Sequence, residues 1–94
     1  MGEQESRTAM LIGTAGVERL RQAGVAVFGL GGVGSYAAEA LARAGVGRLL
    51  LGDDDLVAPS NLNRQLYALR STIGMPKVQA AWERIRDIDP SIQV

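Results

Sequence analysis

Two short apolar runs, separated by an alanine-rich segment, set the pattern of the chain. The first is Val25–Phe28, and the second, Arg48–Gly52, is typical of a parallel strand covered on both faces. Between them, apolar residues recur at helical spacing and predict a helix from Gly34 to Ala44. The apolar face of that helix is formed by Val33, Ala37, Leu41 and Ala44.

A helical pattern precedes the two strands. Thr14–Gln22 predicts a short helix that buries Val17 and Leu20, with Thr14 as its N-cap. Residues 1–6 are polar, and we expect them to be loosely held.

Another helical pattern follows the strands. Pro76 starts a helix that runs to about Ile88, and Asp89-Pro90 ends it because a residue before proline is pushed out of the helical region. Its apolar face is formed by Val78, Ala81, Trp82, Ile85 and Ile88, which places Trp82 in the core. A third strand is predicted to begin at Ser91–Val94. The sequence therefore predicts the N-terminal portion of an α/β, Rossmann-like parallel sheet: a βαβ unit plus flanking helices.

Composition places the chain among globular proteins. With 94 residues, 47% hydrophobic and 21% charged, it is not a disordered segment but is short for a complete doubly wound sheet. We therefore expect a truncated domain. The formal charge is zero, so the sequence does not indicate a strongly basic nucleic-acid surface. The chain has no cysteine, which excludes disulfides and thiolate chemistry within these residues.

No apolar run approaches the roughly 20 residues needed to span a bilayer. The N-terminus carries Glu3 and Glu5 instead of a basic leader followed by an apolar core. We therefore expect a cytoplasmic protein without a membrane partner.

The first strand leads into a glycine-rich turn. Gly29, Gly31 and Gly34 satisfy G-x-G-x-x-G, and Gly32 adds a further position where backbone can approach a ligand. The amides at the start of a helix lack carbonyl partners, and the helix dipole favours negative charge there. The turn is therefore a candidate phosphate-binding site.

Acidic residues follow the second strand. Asp53 lies about 20 residues beyond the glycines. A nucleotide-binding unit places at this position the carboxylate that accepts hydrogen bonds from the ribose hydroxyls. Strand alternation would turn Asp55 the same way as Asp53 and Asp54 the opposite way. This arrangement suits NAD as well as ATP.

Cationic and amide side chains then distinguish these ligands. Asn61, Asn63, Arg64 and Gln65 follow the acidic residues, and Lys77 stands in the first turn of the next predicted helix. Arginine offers a planar fork to phosphate oxygens, and lysine offers a compact charge. Together they fit the charge that develops when pyrophosphate leaves. A hydride-transfer domain has no need of two cations at this place.

The sequence resembles the adenylation domain of the ubiquitin-activating-enzyme superfamily, which includes the adenylyltransferases for sulfur-carrier proteins. The motifs that carry the resemblance are Gly29–Gly34, Asp53-x-Asp55, Asn61–Gln65 and Lys77. Four stretches are similar to the branch of tRNA threonylcarbamoyladenosine dehydratases: Arg7–Gly13, Gly34–Arg43, Asn63–Gly74 and Glu83–Pro90.

The resemblance implies that residues 1–94 are the N-terminal part of an ATP-binding adenylation domain. A carboxylate would attack the α-phosphate of Mg-ATP, giving an acyl-adenylate and pyrophosphate. In the dehydratase branch that carboxylate belongs to the threonylcarbamoyl group on a tRNA adenosine, and the activated group closes into a cyclic form. The substrate implied is therefore tRNA, and the cofactors implied are ATP and Mg²⁺.

The same resemblance implies a role for each matching residue. Asp53, with help from Asp55, would hold the ribose, and Arg7 would reach as an arginine finger into the neighbouring subunit of a homodimer. The glycines would approach the nucleotide, and the other residues would line the phosphate path: Gly29, Gly31, Gly32 and Gly34; Asn61, Arg64, Gln65 and Lys77.

Two departures from the family pattern limit what this chain does alone. The magnesium-binding aspartate of the family lies downstream of Val94, so no metal ligand is assigned here, and we expect weak nucleotide binding without turnover. Gly52 stands where the family carries a bulky aliphatic residue, which is expected to loosen Asp53.

Three other functions stay open at this point. An adenylyltransferase for a ubiquitin-like sulfur carrier would share every phosphate-handling residue. An NAD-binding oxidoreductase domain would share the glycine turn and the acid but leave Arg64 and Lys77 incidental. A non-catalytic dimerisation or regulatory remnant would bind no nucleotide.

Overall fold

A computed structural model describes residues 3–94. Three helices and two strands form in the order predicted, and two short 3-10 helices lie between the second strand and the last helix. The elements are α1 (Glu3–Gln22), β1 (Gly24–Phe28), α2 (Gly32–Ala44), β2 (Arg48–Gly52), the 3-10 helices Pro59–Asn61 and Arg70–Thr72, and α3 (Lys77–Ile88).

The two strands pair in parallel and are joined through α2. The register runs from Gly24 opposite Arg48 to Phe28 opposite Gly52. On the other side of β2, Gln93 forms an isolated parallel bridge with Arg48, where the sequence predicts that a third strand begins. The βαβ unit and flanking helices confirm the predicted α/β, Rossmann-like class.

Two apolar clusters lie on the helix-covered side of the sheet. One joins α2, β2 and α3 through Ala38, Ala42, Val46, Leu49, Ile85 and Ile92. The other joins the turn after β1, the segments between β2 and α3, and α3 itself through Leu30, Val57, Tyr67, Ala68, Ala80 and Ala81. The second cluster lies directly beneath the candidate site.

The predicted apolar face of α2 is wrong, because the structure buries a different side of the helix. The helix buries Ser35, Ala38 and Ala42, whereas Val33 is exposed. Alanine occurs on several sides of this helix, so its periodicity leaves the buried side poorly defined. The small side chains at 38 and 42 allow α2 to approach the sheet closely.

The prediction that β2 is covered on both faces is also wrong for this chain. Leu50 is 62% exposed and Phe28 is 74% exposed, while Leu49 is buried against the helices. Trp82, predicted as core, is 44% exposed and lies under Arg86, whose guanidinium carbon is 5.5 Å from the ring centroid. The exposure of Leu50 and Phe28 arises because the described helices α2 and α3 cover a single face of the sheet.

Helix α1 starts much earlier than predicted and is sharply bent. Gly13 has φ 78° and ψ 166°, a conformation that only glycine adopts readily. An ion pair joins Glu5 to Arg21, which a straight helix would hold roughly 24 Å apart. The two arms therefore fold back on each other at the glycine, next to the predicted start at Thr14. Residues 3–6, expected to be loose, are helical, and Met1 and Gly2 lie outside the described residues.

Among residues 3–94, no helix combines the length and apolarity required to cross a bilayer.

Candidate functional site

The glycine turn, Gly29–Gly34, lies where β1 ends and α2 begins. Gly29 has φ 84°, and its amide donates to the carbonyl oxygen of Gly52 at 2.8 Å. A Cβ at Gly34 would lie 1.8 Å from the carbonyl oxygen of Gly29. Gly34 is therefore required for the turn to close against the helix.

The middle of the turn faces two predicted site residues. A Cβ at Gly31 would come within 3.9 Å of Gln65 Nε2, and one at Gly32 within 3.8 Å of Arg64 Cδ. Within residues 3–94, the amides of residues 31–34 have no hydrogen-bond acceptor. Bare glycine backbone, open amides and the start of α2 thus meet beside an arginine.

Asp53 is tied to the glycine turn. Its Oδ2 accepts from the amide of Leu30 at 2.6 Å, and its Oδ1 accepts from the amide of Asp55 at 2.8 Å. Burial acts to raise the pKa of Asp53, but the two amide bonds and the nearby charge of Lys77 outweigh it and hold the pKa below its usual value. Asp53 is therefore held as a carboxylate at neutral pH.

The expectation that Gly52 loosens Asp53 is wrong, because Asp53 accepts two hydrogen bonds. A Cβ at Gly52 would lie 2.4 Å from the ring of Phe28, so the glycine leaves room for that ring. The predicted alternation of the acidic residues is also wrong. The strand ends at Gly52, and one oxygen from each of Asp53, Asp54 and Asp55 lies within 4.8 Å of the others.

Lys77 is the second cation at this end of the sheet. Its side chain is only 8% exposed, and its Nζ lies 3.8 Å from Asp55 Oδ2. Its amide donates to the carbonyl oxygen of Asp55 at 3.0 Å, next to an antiparallel bridge between Leu56 and Pro76. These contacts fix the start of α3 beside the acidic residues.

The segment Asn61–Gln65 lies over the glycine turn. Asn61 is buried, and its Oδ1 accepts from the amide of Ala58 at 2.9 Å, so this side chain shapes the loop. Arg64 is exposed and donates from Nη1 to the carbonyl oxygen of Ser60 at 2.9 Å. Gln65 is buried, and its Oε1 has no hydrogen-bond partner within the described chain.

The structure therefore brings most of the predicted site together. Arg64 and Gln65 lie beside the glycine turn, and Lys77 is connected to it through Asp55 and Asp53. Arg7 is not part of this assembly. It is exposed on the first arm of α1, and no hydrogen bond or ion pair within residues 3–94 joins it to the turn. Its predicted position in a neighbouring subunit stays a prediction.

Two buried side chains that the sequence analysis missed also contact the glycine turn. Ser35 Oγ donates to the carbonyl oxygen of Gly32 at 2.9 Å and lies 3.4 Å from the amide of Leu66. The hydroxyl of Tyr67 donates to the carbonyl oxygen of Leu30 at 3.3 Å. The Leu66–Ser35 and Tyr67–Leu30 bonds join residues 31 and 37 positions apart, so the local sequence pattern gives no signal for either bond.

Comparison with known proteins places this arrangement in a family. The model of the ThiF family matches residues 5–94, nearly the whole chain. The chain belongs to the ThiF family. Over all 94 residues it is 56% identical to the tRNA threonylcarbamoyladenosine dehydratase of Bacillus subtilis, of which it covers 37%.

Two further known proteins are similar over most of the chain. It is 47% identical over 79 residues, 84% of its length, to the molybdopterin-synthase adenylyltransferase of Salmonella typhimurium, of which it covers 32%. The crystal structure of E. coli tRNA N6-threonylcarbamoyladenosine dehydratase in complex with ATP matches with a TM-score of 0.95 at 44% identity. That match covers 98% of this chain and 38% of the E. coli chain. The chain thus spans well under half the length of these relatives.

Proposed function

We propose that this chain is the N-terminal part of an ATP-dependent adenylating domain. Its carboxylate substrate would be the threonylcarbamoyl group of tRNA threonylcarbamoyladenosine, which is converted to the cyclic form. The identity of 56% to a dehydratase over the full chain supports this choice. The observation that carries it is the meeting of the glycine turn with Arg64 and Lys77 at one end of the sheet.

The residues present fit a nucleoside triphosphate. The glycines at 31 and 32 leave bare backbone where a ligand approaches, and their amides are open for phosphate oxygens. Arg64 and Lys77 supply two positive charges. Asp53 keeps lone pairs for ribose hydroxyls, since each carboxylate oxygen accepts more than one bond. The unpartnered Oε1 of Gln65 needs a donor, which a nucleotide hydroxyl or amino group would offer.

These side chains divide the chemistry between binding and charge stabilisation. When bound, ATP supplies the phosphorus that activates the carboxylate. Arg64 and Lys77 would balance the negative charge that accumulates on the leaving pyrophosphate. Asp53 holds the nucleoside end. Mg²⁺ would be held by an aspartate that follows Val94, and Arg7 would come from a second copy of the protein.

The second candidate is adenylation of a sulfur-carrier protein. The identity of 47% to a molybdopterin-synthase adenylyltransferase favours it, and the nucleotide site would be the same. An NAD-binding oxidoreductase domain is a weaker alternative, because Arg64 and Lys77 would have no role there. A remnant without catalysis would leave the open amides of the turn without a ligand.

The substrate decides between the first two functions. We would incubate the full-length protein with ATP and either threonylcarbamoyladenosine-containing tRNA or a small carrier protein ending in Gly-Gly. Mass spectrometry of the tRNA nucleosides detects loss of water on cyclisation, and release of pyrophosphate reports adenylation of either substrate. We expect cyclisation of the tRNA nucleoside. Pyrophosphate release with the carrier protein alone would contradict the dehydratase assignment.

A further inference from the structure

The peptide units of the glycine turn are held by hydrogen bonds from distant parts of the chain. The amide of Gly29 donates to Gly52, and the amide of Leu30 donates to Asp53. The carbonyl oxygen of Leu30 accepts from the hydroxyl of Tyr67. The first two contacts belong to the end of β2 and its acidic residue. The third comes from a side chain that the proposed function does not use.

Tyr67 is suited to be a fixed hydrogen-bond donor. Its side chain is 2% exposed and packs in the cluster beneath the turn. Burial, with the charge of Asp53 nearby, raises the pKa of Tyr67 well above its usual range, so the hydroxyl keeps its proton. A buried hydroxyl requires a partner, and the carbonyl oxygen of Leu30 provides it at 3.3 Å.

Holding this carbonyl has a consequence for the next amide. In a trans peptide the carbonyl oxygen and the following N–H point in opposite directions, and the described chain has no cis peptide. When Tyr67 holds the oxygen of Leu30 inwards, the N–H of Gly31 points away from the protein core. Gly31 adopts φ −76° here, but glycine tolerates positive φ equally well. Without a restraint, the Leu30–Gly31 peptide would therefore flip at little cost.

We propose that Tyr67 is a positioning residue for nucleotide binding. Its hydroxyl keeps the Leu30–Gly31 peptide in the orientation that presents the Gly31 N–H to the nucleotide phosphates. The role rests on the proposed function, because that N–H needs an anion to bind. Tyr67 itself does not touch the ligand and acts only through the backbone of Leu30.

The test is Tyr67→Phe, which removes the hydroxyl and keeps the ring. Tyr36→Phe is the matched control, since the Tyr36 hydroxyl is on the exposed side of α2 and makes no hydrogen bond within residues 3–94. In the full-length protein, calorimetry gives the Kd for ATP, and NMR gives the shift and hydrogen exchange of the Gly31 amide without nucleotide. Without the bond the two peptide orientations become about equally populated, which weakens ATP binding about twofold.

We expect Tyr67→Phe to change both the Gly31 resonance and the Kd, and Tyr36→Phe to change neither. If Tyr67→Phe lowers only the unfolding midpoint while the Gly31 amide and the Kd stay as in the wild type, the proposal is wrong and the hydroxyl is merely structural. If wild-type protein binds no ATP, the proposed function fails and the positioning role fails with it. In that case an altered Gly31 amide in Tyr67→Phe would still confirm the peptide restraint.

Discussion

Asp53 makes the contacts that connect the parts of the candidate site. Its two carboxylate oxygens accept hydrogen bonds from two backbone amides, that of Leu30 in the glycine turn and that of Asp55. Lys77 contributes a positive charge nearby. A residue chosen from sequence as a ribose ligand is therefore also a structural support of the turn. Its replacement is expected to affect folding as well as nucleotide binding.

The lowered pKa of Asp53 predicts a pH-dependent contribution to stability. A carboxyl group whose pKa is lower in the folded than in the unfolded protein stabilises the fold fully above its ordinary pKa of 3.8. That contribution is lost as the pH falls from this value through the lower pKa of the folded state. Asp53→Asn should therefore cost about 1 kcal/mol at pH 7 and progressively less at more acid pH.

Urea unfolding of wild type, Asp53→Asn and Asp54→Asn at pH 7 and near pH 3 measures this contribution. Asp54 is the matched control because it is the exposed neighbour of Asp53. Glu39, whose pKa is lowered by Arg84 and Arg43 against the effect of burial, titrates equally in all three proteins and cancels. Equal acid sensitivity of wild type and Asp53→Asn would contradict the role of the two amide bonds.

Individual site residues can be predicted from the sequence where their chemistry and spacing are distinctive. The sequence predicts that Arg64, Gln65 and Lys77 line a phosphate path. The structure places Arg64 and Gln65 beside the glycine turn and Lys77 beside Asp55. Tyr67 could not be predicted, because its partner Leu30 lies 37 positions away and only the folded chain brings them together.

The glycine turn is the element on which the site depends, and its glycines have different roles. Gly34 lets the start of α2 pass the carbonyl of Gly29, whereas Gly32 leaves space in front of Arg64. The first role belongs to the fold and the second to the ligand. Two alanine substitutions two residues apart are therefore expected to change different properties, one the stability of the fold and the other the affinity for ATP.

Gly34→Ala should lower the free energy of unfolding by about 3 kcal/mol, because its Cβ would overlap backbone that cannot move aside. Gly32→Ala should keep wild-type stability, since its Cβ would make an ordinary 3.8 Å contact with Arg64. It should instead weaken ATP binding by filling the approach to the backbone. Denaturant unfolding and calorimetry separate the two effects. If Gly34→Ala were as stable as the wild type, the close approach of residue 34 to the carbonyl oxygen of Gly29 would not require glycine.

Element type and order were predicted well, whereas the buried faces were not. A strand that is apolar on both sides predicts coverage on both sides, and α2 and α3 cover only one. The bend in α1 was missed as well, although Gly13 marks its position. Glycine permits a positive φ, but only the ion pair between Glu5 and Arg21 indicates that the two arms fold together.

For the whole molecule, the central question is how many copies build one site. The chain covers 37% of its Bacillus subtilis relative, and Arg7 is exposed away from the contacts that join the glycine turn to α3. We therefore propose that the arginine finger comes from a second copy. If Arg7 and Lys77 of one site come from different copies, a mixture of two inactive variants should recover activity.

Arg7→Ala and Lys77→Ala should each inactivate the full-length protein when pure. In a mixed dimer, one of the two sites receives Arg7 from one copy and Lys77 from the other and is complete. Random mixing should therefore restore about a quarter of wild-type activity, because about half of the dimers are mixed. Pyrophosphate release after co-refolding measures this recovery. A mixture as inactive as its components would exclude the shared site.

The central claim is that Arg64 and Lys77 bind the triphosphate of a nucleotide placed on the glycine turn. Calorimetry with ATP and NAD, on wild type, Arg64→Ala and Lys77→Ala, tests it most directly, with Arg86→Ala beside Trp82 as a control. We predict that ATP binds more tightly than NAD. Each site substitution should weaken ATP binding about tenfold or more, and the control should not. Tighter binding of NAD, with ATP affinity unchanged in both site variants, would contradict the account.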